Sequence, residues 1–236
     1  MRGILRLSPA AAARMVVTID GPAGSGKSTI ARLLAQRLGF AFLDTGAMYR
    51  AVTLAALRRG WTEAEADALA ELVPHLKIAF DGQRTWLNGE DVSQAIRRPE
   101  VTAAVHLAAD NPHVRQRLVE LQRQHAQGKD LVTEGRDQGT VVFPDAECKF
   151  FLTASRQERA RRRWDELRRR GAAVTLEEVL AEQDARDQRD ASRPIGALRK
   201  AADAIEVCTD GLSPEDVAAR LEAIVRQRQA AATAAP

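Results

Sequence analysis

The chain has little cysteine, lysine or aromatic side chain, and no long apolar run. Cys148 and Cys208 are its only cysteines. That is too few for a disulfide framework, and no pairing of cysteine or histidine has the spacing of a zinc site. Both thiols are expected to be free and buried, as in a reducing cytosol. No segment approaches the roughly 18–20 apolar residues that cross a bilayer, so no membrane association is expected. Arg6 and Pro9 interrupt the short apolar stretch near the N-terminus, which argues against a secretory signal and for a cytoplasmic location. Residues 1–14 read as a loose extension, with Met15 as a second candidate start, and residues 230–236 as a frayed tail.

A 45% hydrophobic content over 236 residues fits one globular domain and excludes a disordered or collagen-like chain. Only five of the 35 basic residues are lysines, so arginine carries most of the positive charge, although the net charge is only +3. Arginine's planar fork grips phosphate through two parallel hydrogen bonds and never deprotonates. High-GC coding or thermal adaptation produces the same bias, so composition alone selects no ligand.

Met15–Asp20 is a β-branched apolar run with the look of a strand, followed by a glycine-rich turn and a helical pattern over Ser28–Leu38. Phe40–Leu43 reads as a second strand ending at Asp44, with a helix over Ala47–Arg59. Thr62 and Glu65 form a capping-box signal for a helix that Pro74 closes. Short alternating segments flank Asp81-Gly82, a hairpin signal. Asn111-Pro112 opens a helix to about Gln127. Leu131–Glu134, Cys148–Leu152 and Ile205–Cys208 read as strands, and helices are expected over Ser155–Arg170, after Thr175 and after Ser213. The alternation predicts an α/β fold with a parallel sheet covered on both faces.

Gly21-Pro22-Ala23-Gly24-Ser25-Gly26-Lys27-Ser28 fits the phosphate-binding pattern G-x-x-x-x-G-K-[ST] and lies between a strand and a helix, as that pattern requires. Its glycines let successive N–H groups turn toward a phosphate, and the helix adds its positive end. Residues Gly21 to Thr29 are therefore the candidate ATP site, with Lys27 on the β- and γ-phosphates. Ser28 is the candidate Mg²⁺ ligand, helped by a strand-end carboxylate: Glu134 first, Asp44 as the weaker choice.

Where the γ-phosphate goes depends on other stretches. These are Asp44-Thr45-Gly46-Ala47-Met48-Tyr49-Arg50, the run Glu134-Gly135-Arg136-Asp137-Gln138-Gly139-Thr140-Val141-Val142-Phe143-Pro144, and Arg186-Asp187-Gln188-Arg189-Asp190 with Arg193. With the phosphate loop, they closely resemble the bacterial cytidylate (CMP/dCMP) kinases over roughly residues 15–228. The resemblance implies a P-loop three-layer fold with a five-stranded parallel sheet, within a domain over 15–229. It also implies a small monophosphate-binding insertion around 60–105 and a mobile lid around 156–195. The implied reaction is ATP + (d)CMP → ADP + (d)CDP, and the implied state is a monomer. Arg50, Arg136 and Arg193 match positions that hold the acceptor phosphate. Thr45, Arg115 and Asp137 match positions around the nucleoside, and Arg186 and Asp190 match the sugar-binding pair. His106 departs from the pattern, since the family often has serine there.

Ser155–Arg170 is dense in arginine. The resemblance marks Arg159, Arg162 and Arg163 as lid arginines; of these, Arg159 and Arg163 are the candidate catalytic pair, and Arg168–Arg170 are expected on the surface. Two alternatives stay open: a P-loop kinase preferring another acceptor such as UMP, and a P-loop protein acting on nucleic acid. Only ten aromatic residues occur and a single one, Trp164, lies among these arginines, so a base-stacking platform is lacking and no nucleic-acid partner is expected.

Overall fold

The computed structural model describes residues 15–62, 65, 68–81 and 84–234. The expected extension over 1–14, residues 63, 64, 66 and 67 of the segment opened by Thr62, the glycine of the Asp81-Gly82 turn and the last two residues lie outside them. In chain order the elements begin with β1 (Val16–Asp20), α1 (Lys27–Leu38), β2 (Ala41–Asp44), α2 (Thr45–Leu57) and α3 (Leu69–Leu72). A small antiparallel sheet follows, β3 (Ile78–Phe80), β4 (Thr85–Leu87) and β5 (Glu90–Asp91), and then α4 (Pro99–Asp110) and α5 (Pro112–Ala126). The chain ends with β6 (Leu131–Gly135), β7 (Cys148–Thr153), α6 (Arg156–Arg169), α7 (Leu176–Ser192), β8 (Ile205–Cys208) and α8 (Pro214–Ala234).

The main sheet has five parallel strands in the order β2-β6-β1-β7-β8. Side chains alternate across it, so Leu43 and Leu131 enter one apolar cluster while their neighbours Phe42 and Val132 enter the other. The first cluster gathers Met48, Leu69, Ile96 and Leu118; the second gathers Ile19, Leu34, Phe150 and Leu221. Helices thus cover both faces, as continuous apolar strands require. The strand register sets Asp44 beside Glu134 and Asp20 beside Gly135, so three carboxylates lie along the carboxyl edge of the sheet. That edge is where open parallel sheets place their ligands.

Local signals account for several boundaries. Asn111 accepts from the backbone N–H groups of His113 and Val114, both at 3.0 Å, and starts α5. Thr175 and Glu178 form a reciprocal capping box at α7. Four differences from expectation stand out. Helix α4, opened by Pro99, was not expected, and α2 begins at Thr45 because Asp44 caps it by accepting from Ala47 N–H at 2.8 Å. Helix α8 continues to Ala234, through most of the expected tail. Cys148 is buried but Cys208 is exposed, because β8 is the sheet's edge strand and Cys208 alternates outward from buried Val207.

Candidate active site

The phosphate loop joins β1 to α1 through backbone shapes that only glycine adopts easily. Gly21 has φ +150°, and a Cβ there would lie 2.1 Å from the Leu152 carbonyl oxygen; Gly26, the N-cap of α1, has φ +86°. Lys27 follows as the first helical residue; it is buried, and its ammonium donates to the Pro22 carbonyl at 2.8 Å. Burial, aided by Arg136, brings its pKa down to about 7. The Ser28 hydroxyl donates to Glu134 Oε1 at 2.7 Å, so the helix start and the end of β6 meet.

Asp20 is a site residue that sequence reasoning missed. It is buried at the end of β1, and its carboxylate accepts from the backbone N–H groups of Gln138 (2.9 Å) and Gly139 (2.8 Å). These bonds tie the root of the phosphate loop to the turn that follows Asp137. Burial outweighs them and pushes the Asp20 pKa from 3.8 up to about 7. Between those values the unfolded chain binds fewer protons than the folded one, so stability falls as pH rises through this window. The expected loss is about 4 kcal/mol. Urea unfolding at several pH values should show Asp20→Asn gaining on the wild type between about pH 4 and 7. A difference that stays constant with pH would mean that Asp20 titrates normally.

On the acceptor side, Thr45 Oγ1 donates to the Glu134 carbonyl at 2.7 Å. Arg115 and Asp137 form a buried ion pair, and Arg115 also donates to the Ala109 carbonyl at 3.3 Å. Burial raises the pKa of Asp137 despite Arg115, and brings the nearby Tyr49 hydroxyl up to about 12. The Arg115 guanidinium lies 5.7 Å from the centre of the Tyr49 ring. Asp190 accepts from Arg136 Nε at 2.7 Å and from Arg193 at 2.9 Å, and Arg193 also donates to Asp110 at 2.5 Å. Arg193 lies just past the end of α7 in an extended conformation, as expected before Pro194, yet its side chain still reaches Asp190. Half-buried Arg186 has its pKa lowered to about 10 by burial and Arg136. The His106 ring contacts the Ala103 carbonyl of its own helix at 2.9 Å.

In α6, Arg159 is buried against the phosphate loop: it donates to the Ala23 carbonyl at 3.0 Å and pairs with Asp187 at 2.6 Å. Gln183 of α7 donates to the same carbonyl at 3.2 Å, a contact with no signal in the sequence. Arg162 is held by Glu158 and Thr209, and Arg163 by Glu166. A cleft of about 1090 Å³ opens over the loop, with Lys27, Ser28, Arg50, Arg163 and Arg186 in its wall. Arg168 is exposed over Trp164; Arg169 and Arg170, expected merely on the surface, are exposed and border this cleft.

The sequence pattern of one family, cytidylate kinase, matches residues 17–227. The chain belongs to the cytidylate kinase family. It is 50% identical to a cytidylate kinase of Rhodopirellula baltica, over 90% of this chain and 93% of that one. It is also 50% identical to a cytidylate kinase of Mycobacterium leprae, over 92% and 98% of the two chains. A bifunctional pantoate ligase/cytidylate kinase of Synechococcus is 47% identical over 93% of this chain but only 42% of that protein. Against this family background, the phosphate loop, the Arg115–Asp137 pair and the arginines on Asp190 converge on one edge of one sheet.

Proposed function

We propose that this chain transfers the γ-phosphoryl group of ATP to CMP or dCMP, giving ADP and CDP or dCDP. The observation that carries the reading is the buried Arg115–Asp137 pair, placed three residues beyond Glu134, which itself meets the phosphate-loop serine. A base-recognising ion pair and a phosphate cradle thus share one strand end.

Residues Gly21 to Thr29 hold the ATP phosphates, and Lys27 offers its ammonium to the β- and γ-groups. The acceptor is a phosphate oxygen already ionised at neutral pH, so no general base is needed. Catalysis is positioning and charge neutralisation by Lys27, Arg159 and Arg163. Ser28 and Glu134 offer adjacent hard oxygen donors, a set that fits Mg²⁺, and they are the residues that would hold it. When bound, that ion neutralises phosphate charge.

Arg50, Arg136 and Arg193 take the acceptor phosphate, and Arg186 and Asp190 the sugar. Thr45 and His106 flank the nucleoside, while Arg115 and Asp137 read the cytosine edge. A carboxylate that accepts from the cytosine amino group meets an oxygen in uracil and is left unpaired, which rejects UMP. The segment around 60–105 serves as the monophosphate-binding insertion and 156–195 as the lid. The working protein is a cytoplasmic monomer whose partners are ATP and CMP or dCMP. Among the described residues no helix is long and apolar enough to cross a membrane.

The test is a coupled ADP-release assay with CMP, dCMP, UMP and AMP. ADP should form fastest with CMP or dCMP; no release with either, under conditions where ATP binds, would remove the proposal.

A further inference from the structure

Arg115 and Asp137 come from different elements: Arg115 from α5, and Asp137 from the head of the helical turn Gln138–Val142 that follows β6. Their relative placement therefore depends on what joins that turn to that helix. Gln138, the residue after Asp137, is buried with each of its polar atoms engaged. Its N–H donates to Asp20 at 2.9 Å, and its carbonyl accepts from Phe143 N–H at 2.7 Å. Its Oε1 accepts from the Thr133 hydroxyl of β6 at 2.9 Å, and its Nε2 donates to Gln122 Oε1 at 3.1 Å. Gln122 is wholly buried in α5, seven residues after Arg115 and so on the same face of that helix. Its own Nε2 has no hydrogen-bond partner. A buried amide left half unpaired costs stability that a leucine of similar volume would not, so stability does not account for it. What the amide adds over leucine is a directed bond of fixed length between the helix that carries Arg115 and the turn that carries Asp137. Gly135 leaves room for the link, since a Cβ there would lie 2.9 Å from Gln138 Cγ. At the far end of the turn, Arg123 of α5 donates to the Val141 and Val142 carbonyls, both at 2.9 Å. The turn thus stays attached to α5 without the amide pair, but loosely at the end that holds Asp137.

We propose that the Gln122–Gln138 amide pair positions the base reader, holding Asp137 at the spacing from α5 at which its carboxylate meets an amino group on the acceptor's base. The proposal rests on the CMP-kinase reading and adds two positioning residues buried behind the site. A loosened Asp137 loses its bond to the cytosine amino group, whereas uracil makes no such bond and has nothing to lose there. The pair therefore acts on the choice of base and leaves the phosphate chemistry alone.

Steady-state kinetics with CMP and with UMP, beside thermal melts, test this in the double variant Gln122→Leu/Gln138→Leu, which exchanges the amide pair for an apolar pair of similar volume. Its kcat/KM for CMP should fall about tenfold, the scale of one weakened hydrogen bond to a charged group, and the fall should lie in KM. For UMP, kcat/KM should stay within about twofold, as should kcat with CMP and KM for ATP. Gln122→Leu alone keeps the Thr133–Gln138 bond and should show a smaller loss in the same direction, which carries the test if the double variant does not fold. A folded variant whose CMP/UMP ratio matches that of the wild type, or that loses both acceptors equally, would overturn the proposal. A wild-type protein that does not favour CMP over UMP would instead overturn the reading on which it rests.

Discussion

Lys27→Ala lowers turnover with CMP by about 10³-fold while the protein remains folded, if the phosphate loop works as argued. The lysine is buried at the start of α1, and its ammonium touches the loop's own Pro22 carbonyl at 2.8 Å. Burial, with the repulsion of Arg136, drives its pKa to about 7, so the charged form is held at a cost to folding. Its position at a helix N-terminus adds to that cost, because the helix dipole disfavours a cation there. A residue retained against both effects is retained for an anion. Removing it should therefore spare stability and strike the chemical step. Steady-state kinetics beside a thermal melt would separate the two, with the melting temperature equal to or above that of the wild type. Near-normal turnover would take Lys27 out of the site.

Asp137→Asn should lower kcat/KM for CMP by about 10²-fold and for UMP far less, so that discrimination between them erodes. The asparagine side chain fills nearly the same volume, but it presents an amide where the carboxylate accepted. It also leaves Arg115 buried without its counter-charge, which costs about 3 kcal/mol of stability. The two consequences are separable. Loss of stability affects all substrates alike, whereas loss of the base contact affects CMP selectively. KM for ATP should stay within about twofold, since the change leaves every hydrogen bond of the phosphate loop in place. An unchanged CMP/UMP ratio would show that Asp137 is not the base reader.

Much of this site could be read along the chain because its parts are local. The glycine spacing of the phosphate loop, the Asn111 cap and the Thr175–Glu178 box each act within a few residues, and each is present as expected. What could not be read depends on contacts between distant segments. Asp20 looks like an ordinary strand end, and its importance comes from backbone N–H groups 118 and 119 positions away. Arg159 is marked by the family resemblance, but its hold on the Ala23 carbonyl, 136 positions off, exists only once α6 has folded against the loop. The exposure of Cys208 follows from β8 being an edge strand, which composition does not reveal. Helix α4 is weakly marked in the sequence, because its alanines and β-branched residues give little periodicity between stronger signals. The abundance of arginine, conspicuous in the composition, says less than the placement of a few of them around three carboxylates.

The most direct measurement of the central claim follows the phosphate itself. ATP labelled in its γ-phosphate is incubated with the protein and an equal mixture of CMP and UMP, and the nucleotide products are separated. Label should appear in CDP, with little in UDP and an equivalent amount of ADP. Label that appears chiefly in UDP, or only as free phosphate, would contradict it.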